Sequence, residues 1–277
     1  MSTIIDADVL KCFDNLPHKE IHDILRKRVN DGKIHRFIGK WLNAGVVEKD
    51  NIHYPSCGSP QGGCISPLIA NIFLHHVLDE WYEKEVEPRL KGKSFLVRFA
   101  DDFVMGCQSE ADGVRVMDVL PKRFAKYGLS IHPEKSKMVR FSWSTCDDPT
   151  EKNGTFDYLR FTHYWARARS GNWVIKRKTM RKRQARAMRN LFVYCRNEKH
   201  KPIKEQYKNL CSKLHGLYNY YGIICNYRML LMLYEHTRNC WRRWLGRRTR
   251  DGYISWAKFE KFLGDWVLPK PRITKNV

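Results

Sequence analysis

Apolar and polar positions change rhythm part-way along the chain. Thr3 to Val9 is a compact β-branched run broken by Asp6 and Asp8, which predicts a strand. Ile21, Ile24, Leu25 and Val29 then recur at helical spacing over His18 to Val29. A second helix, Ile34 to Leu42, follows the break at Gly32, and a turn-rich stretch runs from Asn51 to Gly63. Ser66-Pro67 opens a helix that continues over Leu68 to Trp81, apolar on nearly every face and therefore buried. Ser94 to Phe99 and Phe103 to Cys107 form a hairpin around Ala100-Asp101-Asp102. A helix from Glu110 to Tyr127 ends at Gly128, and short β pieces fall within Ser130 to Phe141 and Phe156 to Val174. From Lys176 the period is helical: Lys176 to Asn197, Ile203 to Tyr221, Asn226 to Gly246 and Ser255 to Gly264. The pattern predicts an α+β domain over 1–175 and a helical one over 176–277.

Charge sharpens that division. The chain has 277 residues and a formal net charge of +22. Residues 1–150 carry 21 basic and 21 acidic side chains, so the whole excess lies beyond them. A regional excess of this size points to a polyanion. An anionic membrane would use the same charge, but no apolar run of bilayer length, no signal-like segment near Met1 and no amphipathic terminal anchor accompany it. The expectation is a cytosolic or organellar soluble protein with no membrane partner. Nine scattered cysteines with no C-x-x-C pair read as reduced thiols, mostly in the core.

Three aspartates carry the candidate chemistry. Asp8 ends the first strand and Asp101-Asp102 sit at the hairpin tip, on β elements that Ile4, Ile5, Val9, Leu96, Val97, Phe99, Phe103 and Val104 would hold together. Carboxylates that close repel one another unless a cation lies between them. Oxygen-only ligands suit Mg²⁺, and two such ions, roughly 3.5–4 Å apart, clamp the attacking and leaving oxygens of an in-line phosphoryl transfer. An isolated Asp-Asp pair is more often just a polar turn, but here it has company. D-V-L-K-C-F-D-N from Asp8, S-P-Q-G-G-C-I-S-P-L from Ser59, F-A-D-D from Phe99, G-L-S-I-H-P-E-K from Gly128 and F-D-Y-L-R-F from Phe156 follow in order.

These segments resemble the palm motifs of reverse transcriptases, and more narrowly of the bacterial, endonuclease-lacking group II intron-encoded reverse transcriptases and maturases. L-H-G-L-Y-N-Y-Y-G-I from Leu214, W-R-R-W-L from Trp241 and V-L-P-K-P-R-I from Val267 resemble the maturase thumb of that family. The resemblance implies a palm, an antiparallel sheet with packed helices, followed by an all-helical thumb. It makes Asp8 and Asp101 the principal ligands of two Mg²⁺ ions, with Mn²⁺ as a substitute, aided by the Val9 carbonyl and Asp102. Phe13 stands where an aromatic under the sugar selects deoxynucleotides, though a core Phe is an equal reading. Gln61 and Gly62 lie in a loop that approaches the nucleotide. Lys135 is the candidate general acid for the departing pyrophosphate, or else a solvent-facing lysine. Lys176, Arg177, Lys178, Arg181, Lys182, Arg183, Arg186 and Arg189 form a one-signed basic helix suited to phosphates. Among the interleaved aromatics Trp173, Tyr194, Tyr218, Tyr220, Tyr221, Trp241 and Trp244, packing is favoured over base stacking.

Departures from the family pattern set the rival readings. The family carries a fingers region ahead of its first catalytic strand, whereas Asp8 lies seven residues after Met1. The resemblance thus implies an N-terminally truncated chain, completed by a separate fingers polypeptide or a second copy. Phe99 stands in place of the usual Tyr, and Arg160 in place of a turn Gly, a strained choice if φ there is positive. The expected activity is RNA-directed DNA synthesis from an RNA template with primer and dNTP, with group II intron RNA as partner. The alternatives are a non-catalytic RNA-binding maturase that assists splicing, or an inactive remnant. A nucleotide cyclase or RNA-templated RNA polymerase on a similar palm is disfavoured by Phe13 and the maturase-like tail.

Overall fold

Strand β1 (Thr3–Asp8) is two-sided. Ile5 and Ala7 point into a core with Phe103, Met105 and Cys107 of β5 (Asp102–Cys107), while Ile4, Asp6 and Asp8 take the opposite face. The computed structural model describes residues 2–44, 46–48, 51–53, 57–59, 63–143, 146, 153–248 and 252–275. The chain divides into two compact units, 1–158 and 159–277.

In the first unit, β1 pairs antiparallel with β5 on one side and β6 (Lys137–Arg140) on the other. With β4 (Ser94–Phe99) outside β5, the sheet order is β4-β5-β1-β6. Phe95 lies opposite Gly106, where a Cβ would sit 2.2 Å from its ring, so glycine is required for the ring to lie flat on β5. The covered face packs on α1 (His18–Arg26), α3 (Ser66–Leu74) and α4 (Glu110–Ala125). Phe103 and Phe124 stack with centroids 6.0 Å apart. Helix α2 (Gly32–Leu42) is capped by Asp31, whose carboxylate accepts the Lys33 and Ile34 N–H groups. The short β2 (Val46–Glu48) and β3 (Asn51–His53) pair with each other. The other face of the main sheet is met by β7 (Phe156–Tyr158), which lies against β1 and β5.

Three local features differ from the sequence expectation. The helix from Ser66 continues past Trp81 through wide turns to Val86, because Val77, Leu78, Trp81, Tyr82 and Val86 are all buried. Of Ser130 to Phe141, only Lys137–Arg140 is strand. Pro133 interrupts the run, and His132–Ser136 closes a turn in its place. Four of the nine cysteines are buried and all are free, so the thiols are less core-confined than expected.

The second unit opens with a hairpin, β8 (Phe161–Arg167) and β9 (Trp173–Thr179), paired over seven residues. Helices α5 (Arg181–Asn197), α6 (Ile203–Tyr221), α7 (Tyr227–Gly246) and α8 (Trp256–Asp265) follow. Their core holds Leu191, Leu210, Leu214, Tyr218, Leu233, Trp241 and Phe259. The boundary falls at Tyr158–Leu159 rather than near residue 175, because Phe161 packs on this core and Thr179 is tied to Asn226. The unit is therefore hairpin plus helices, not helices alone. Lys176, Arg177 and Lys178 are strand residues: the β-branched Val174, Ile175 and Thr179 beside them favour pairing with β8 over a further helical turn.

Asn226 is wholly buried at the α6–α7 corner. Its amide nitrogen donates to Thr179 Oγ1 (2.9 Å) and the Tyr221 carbonyl (2.8 Å), and its oxygen accepts the Thr179 N–H (2.9 Å). At the same corner the carbonyl of Gly222 accepts the N–H groups of Thr274 and Lys275. A Cβ on Gly222 would lie 2.3 Å from the Tyr218 carbonyl. Asn226→Ala strands several buried polar groups and lowers stability by about 2–4 kcal/mol in thermal or urea denaturation. A loss under ~0.5 kcal/mol would show that the corner does not depend on this amide.

Candidate active site

The β1–β5 register sets Asp8 directly opposite Asp102, and residues opposite one another in an antiparallel pair share a face. Asp101 joins them from the β4–β5 turn, in which Phe99 pairs with Asp102 and Ala100 adopts a left-handed φ of 55°. Arg98 fixes that strained tip. Its Nη1 donates to the Ala100 carbonyl (2.9 Å) and to Asn71 Oδ1 (2.9 Å), while Nε and Nη2 grip Asp79 at 2.7 and 2.5 Å. The tip is thus anchored to the long helix through two of its polar residues. Nothing in the sequence reading singled out Asn71, Asp79 or Arg98; a lone Arg in an apolar strand directly before the Asp pair is the signal that was there.

The 130–136 turn wraps Asp8. Its carbonyl accepts the His132 N–H (2.8 Å), its N–H donates to Ser136 Oγ (3.2 Å), and its carboxylate meets Lys135 Nζ at 2.8 Å. Because the Asp8 carbonyl and the Leu10 N–H both face this turn, the Val9 carbonyl between them points to the opposite edge of the strand. Beneath Asp8 on the same face lies Asp6, which the sequence reading passed over. Burial pushes its carboxyl up to about 6, the charges of Asp102 and Asp157 add to the rise, and Lys137 at 3.7 Å opposes it. The site is a layered acid cluster compensated by two lysines, Lys135 from the turn and Lys137 from the start of β6.

Cys12 marks where the carboxylates meet. Burial raises its thiol to about 12, with Asp101 and then Asp8 adding to the shift and Arg98 opposing it, so both acids lie within electrostatic reach of one buried sulfur. Phe13 is half-buried and packs on the core. Its carbonyl accepts the Ser59 N–H at 2.7 Å, and the Leu16 carbonyl accepts that of Gly58. Gly58 has a φ of 88° and approaches the Asp14 carbonyl so closely that a Cβ would lie 2.5 Å from it. The segment starting at Ser59 is thereby delivered next to Asp8–Phe13. Gln61 and Gly62 themselves lie outside the described residues.

In the second unit, Arg181, Lys182, Arg186 and Arg189 are exposed on α5 with Arg183 half-buried, and among the described residues none of the five forms an ion pair. Lys176 donates to the Arg167 carbonyl, and Lys178 lies 4.8 Å over the Tyr164 ring. The eight basic residues thus occupy a strand and a helix. Tyr218, Trp241 and Trp244 are buried and belong to the core.

A family model described as reverse transcriptase (RNA-dependent DNA polymerase) matches residues 2–163, more than half of the chain. The chain belongs to the reverse transcriptase family. It is similar to the group II intron-encoded protein LtrA of Lactococcus lactis subsp. cremoris, 38% identical over 73 residues that cover 26% of this chain and 12% of that protein. It is also similar to the putative COX1/OXI3 intron 2 protein of Saccharomyces cerevisiae, 39% identical over 137 residues that cover 49% of this chain and 14% of the other. The matches thus span well under a quarter of those relatives' lengths. Among solved structures, apo telomerase from Candida tropicalis shares the fold at 14% identity and a TM-score of 0.51, covering 94% of this chain and 44% of that one. The reverse transcriptase palm is accordingly the α+β unit described above. Among the described residues, no helix is long and apolar enough to cross a membrane.

As a cation site, this reverse transcriptase palm is partly built. Among the described residues, no three acid, histidine or cysteine side chains close into a ready-made cage. The donors present are all hard oxygens: the facing Asp8 and Asp102, Asp101 at the tip and the Val9 carbonyl. That set fits Mg²⁺ with its remaining positions left to water and phosphate. Removing the clamp is the direct test of how the tip is held. Arg98→Ala strips Asp79 of both guanidinium bonds, leaving it His75 Nδ1 at 3.2 Å, and costs about 1–3 kcal/mol in thermal denaturation. A variant as stable as the parent would mean that the hairpin holds its tip without the helix.

Proposed function

We propose that the chain carries the RNA-directed DNA polymerase site of a group II intron-encoded reverse transcriptase, joining a primer 3′-hydroxyl to the α-phosphate of a dNTP and releasing pyrophosphate. The observation that carries this reading is the cross-strand Asp8–Asp102 pair with Asp101 at the clamped tip. Asp8 and Asp101, helped by Asp102 and the Val9 carbonyl, would hold two Mg²⁺ ions, or Mn²⁺ in their place. Bound there, such ions supply charge neutralisation at the attacking and leaving oxygens of an in-line displacement. Asp6, protonated more readily than an ordinary carboxyl, limits the negative charge stacked beneath Asp8. Lys135 pairs with Asp8 in the resting site; its ammonium would be the proton donor for a departing pyrophosphate. Phe13 would floor the sugar pocket and discriminate against a 2′-hydroxyl, and Gln61 and Gly62 would line the nucleotide.

The partners in this reading are an RNA template with its primer and group II intron RNA, with splicing assistance as the accompanying role. The unpaired cations of α5, together with Lys176, Arg177 and Lys178 of β9, support RNA contact on their own. They equally favour a second reading, a splicing cofactor whose palm is catalytically idle. Primer extension on an RNA template with Mg²⁺ and dNTPs separates the two. Asp101→Asn is expected to lower extension on the order of 10²-fold or more while RNA affinity stays within about twofold. No extension by the parent, alongside tight RNA binding, would leave only the cofactor reading.

Salt dependence tests the RNA surface separately. Replacing Arg181, Lys182, Arg186 and Arg189 together by Gln should flatten the slope of log K against log[salt] by about 3. A slope unchanged within error would move RNA contact away from α5.

A further inference from the structure

A cavity of about 530 Å³ opens on the second unit beside the turn that precedes β8. Four cations line it: Arg160 from that turn, Arg183 and Arg186 from α5, and Lys213 from α6. Among the described residues none of the four is ion-paired; the ion pairs of this unit gather instead on Lys201 and Arg238. Asn190 adds an amide, and Leu217 with Tyr221 makes an apolar and aromatic wall. Four like charges around one concavity repel each other until an anion enters it.

Arg160 is the informative member. Both turn residues have left-handed backbones, Leu159 at φ 47° and Arg160 at φ 69°, where a side chain is strained and glycine is at ease. Strain of this kind persists where surrounding contacts hold it, and it gathers at ligand sites. Here the guanidinium lies 5.2 Å over the Tyr220 ring and lines the cavity, bringing a planar donor fork to it. Lys213 is steadied over Tyr194 at 5.0 Å. Forked guanidinium groups with a neighbouring ammonium match phosphate oxygens, and the Leu217–Tyr221 wall suits a base or sugar.

We infer that this cavity is a nucleoside-phosphate site that seats one nucleotide of an RNA strand, its phosphate on Arg160, Arg183, Arg186 and Lys213. The assignment rests on the reading of the second unit as RNA-binding and narrows it to one nucleotide-sized contact. Arg160 is the residue that distinguishes it from a diffuse basic surface.

The test uses the full chain and a fluorescent single-stranded RNA in anisotropy titrations across salt concentration. Arg160→Gly and Lys213→Gln should each weaken RNA binding at least about fivefold. Each should also reduce the salt slope by about 0.7. Arg160→Gly should melt no lower than the parent, since glycine relaxes the turn, so a loss of binding there is not a loss of fold. Adenosine monophosphate and inorganic phosphate serve as competitors. Displacement of RNA by the monophosphate from the parent, lost in Lys213→Gln, means that free nucleotides share the site; no displacement means that only the strand enters it. Variants that bind RNA like the parent, with the same slope, overturn this inference and leave the proposed function standing. A parent that binds no RNA overturns both.

Discussion

The antiparallel register of Thr3–Asp8 against Asp102–Cys107 is the constraint on which the first unit depends. Side chains alternate with a period of two, so a slip of one residue would exchange the faces. Ile5, Ala7, Phe103 and Met105 would leave the core, and Asp6, Asp8 and Asp102 would enter it. The hydrophobic effect that packs one face against α1, α3 and α4 therefore also aims the acids of the other face. Assembly of the site needs no attraction between carboxylates, which repel. It is imposed by apolar burial on the far side of the same backbone, while Arg98, Lys135 and Lys137 contain the residual charge.

Much of this was legible in the sequence because it is written in short-range patterns. The alternation of Thr3 to Val9, the Asp101-Asp102 tip and the stop at Gly128 each depend on neighbours a few residues apart. What escaped the reading depends on partners far along the chain. Asp6 looked like an interruption of a strand until Lys137 and Asp157 came to its side. Arg98 carries no local signal of its role, because Asn71 and Asp79 lie 27 and 19 positions away. The stretch Lys176–Lys178 was drawn into the following helix by its charge. Its backbone pairs instead with Phe161–Arg167, a partner that local periodicity does not reveal.

The two units divide their labour electrostatically as well as structurally. In the first, acids and bases balance, and the ordered ion pairs are spent on fixing geometry: Arg98 with Asp79, Lys135 with Asp8, Arg115 with the buried Asp112. In the second, among the described residues, the ion pairs of the helices gather on Lys201 and Arg238. Several other cations lie over aromatic rings, as Arg160 does over Tyr220 and Lys213 over Tyr194. A ring holds a cation in place without cancelling its charge, so the side chain is ordered and still available to an anion.

The seam at Gly222 bears on how the chain is made. The carbonyl at this corner is satisfied by Thr274, 52 positions further on, and the same corner carries Asn226 and its hold on β9. Synthesis runs from the N-terminus, so α5, α6 and α7 emerge before the segment that completes their junction. The Gly222 carbonyl consequently stays open to water until residues 274 and 275 leave the ribosome. A translational pause over α8 would lengthen the life of an open, strongly basic intermediate in a cell full of RNA.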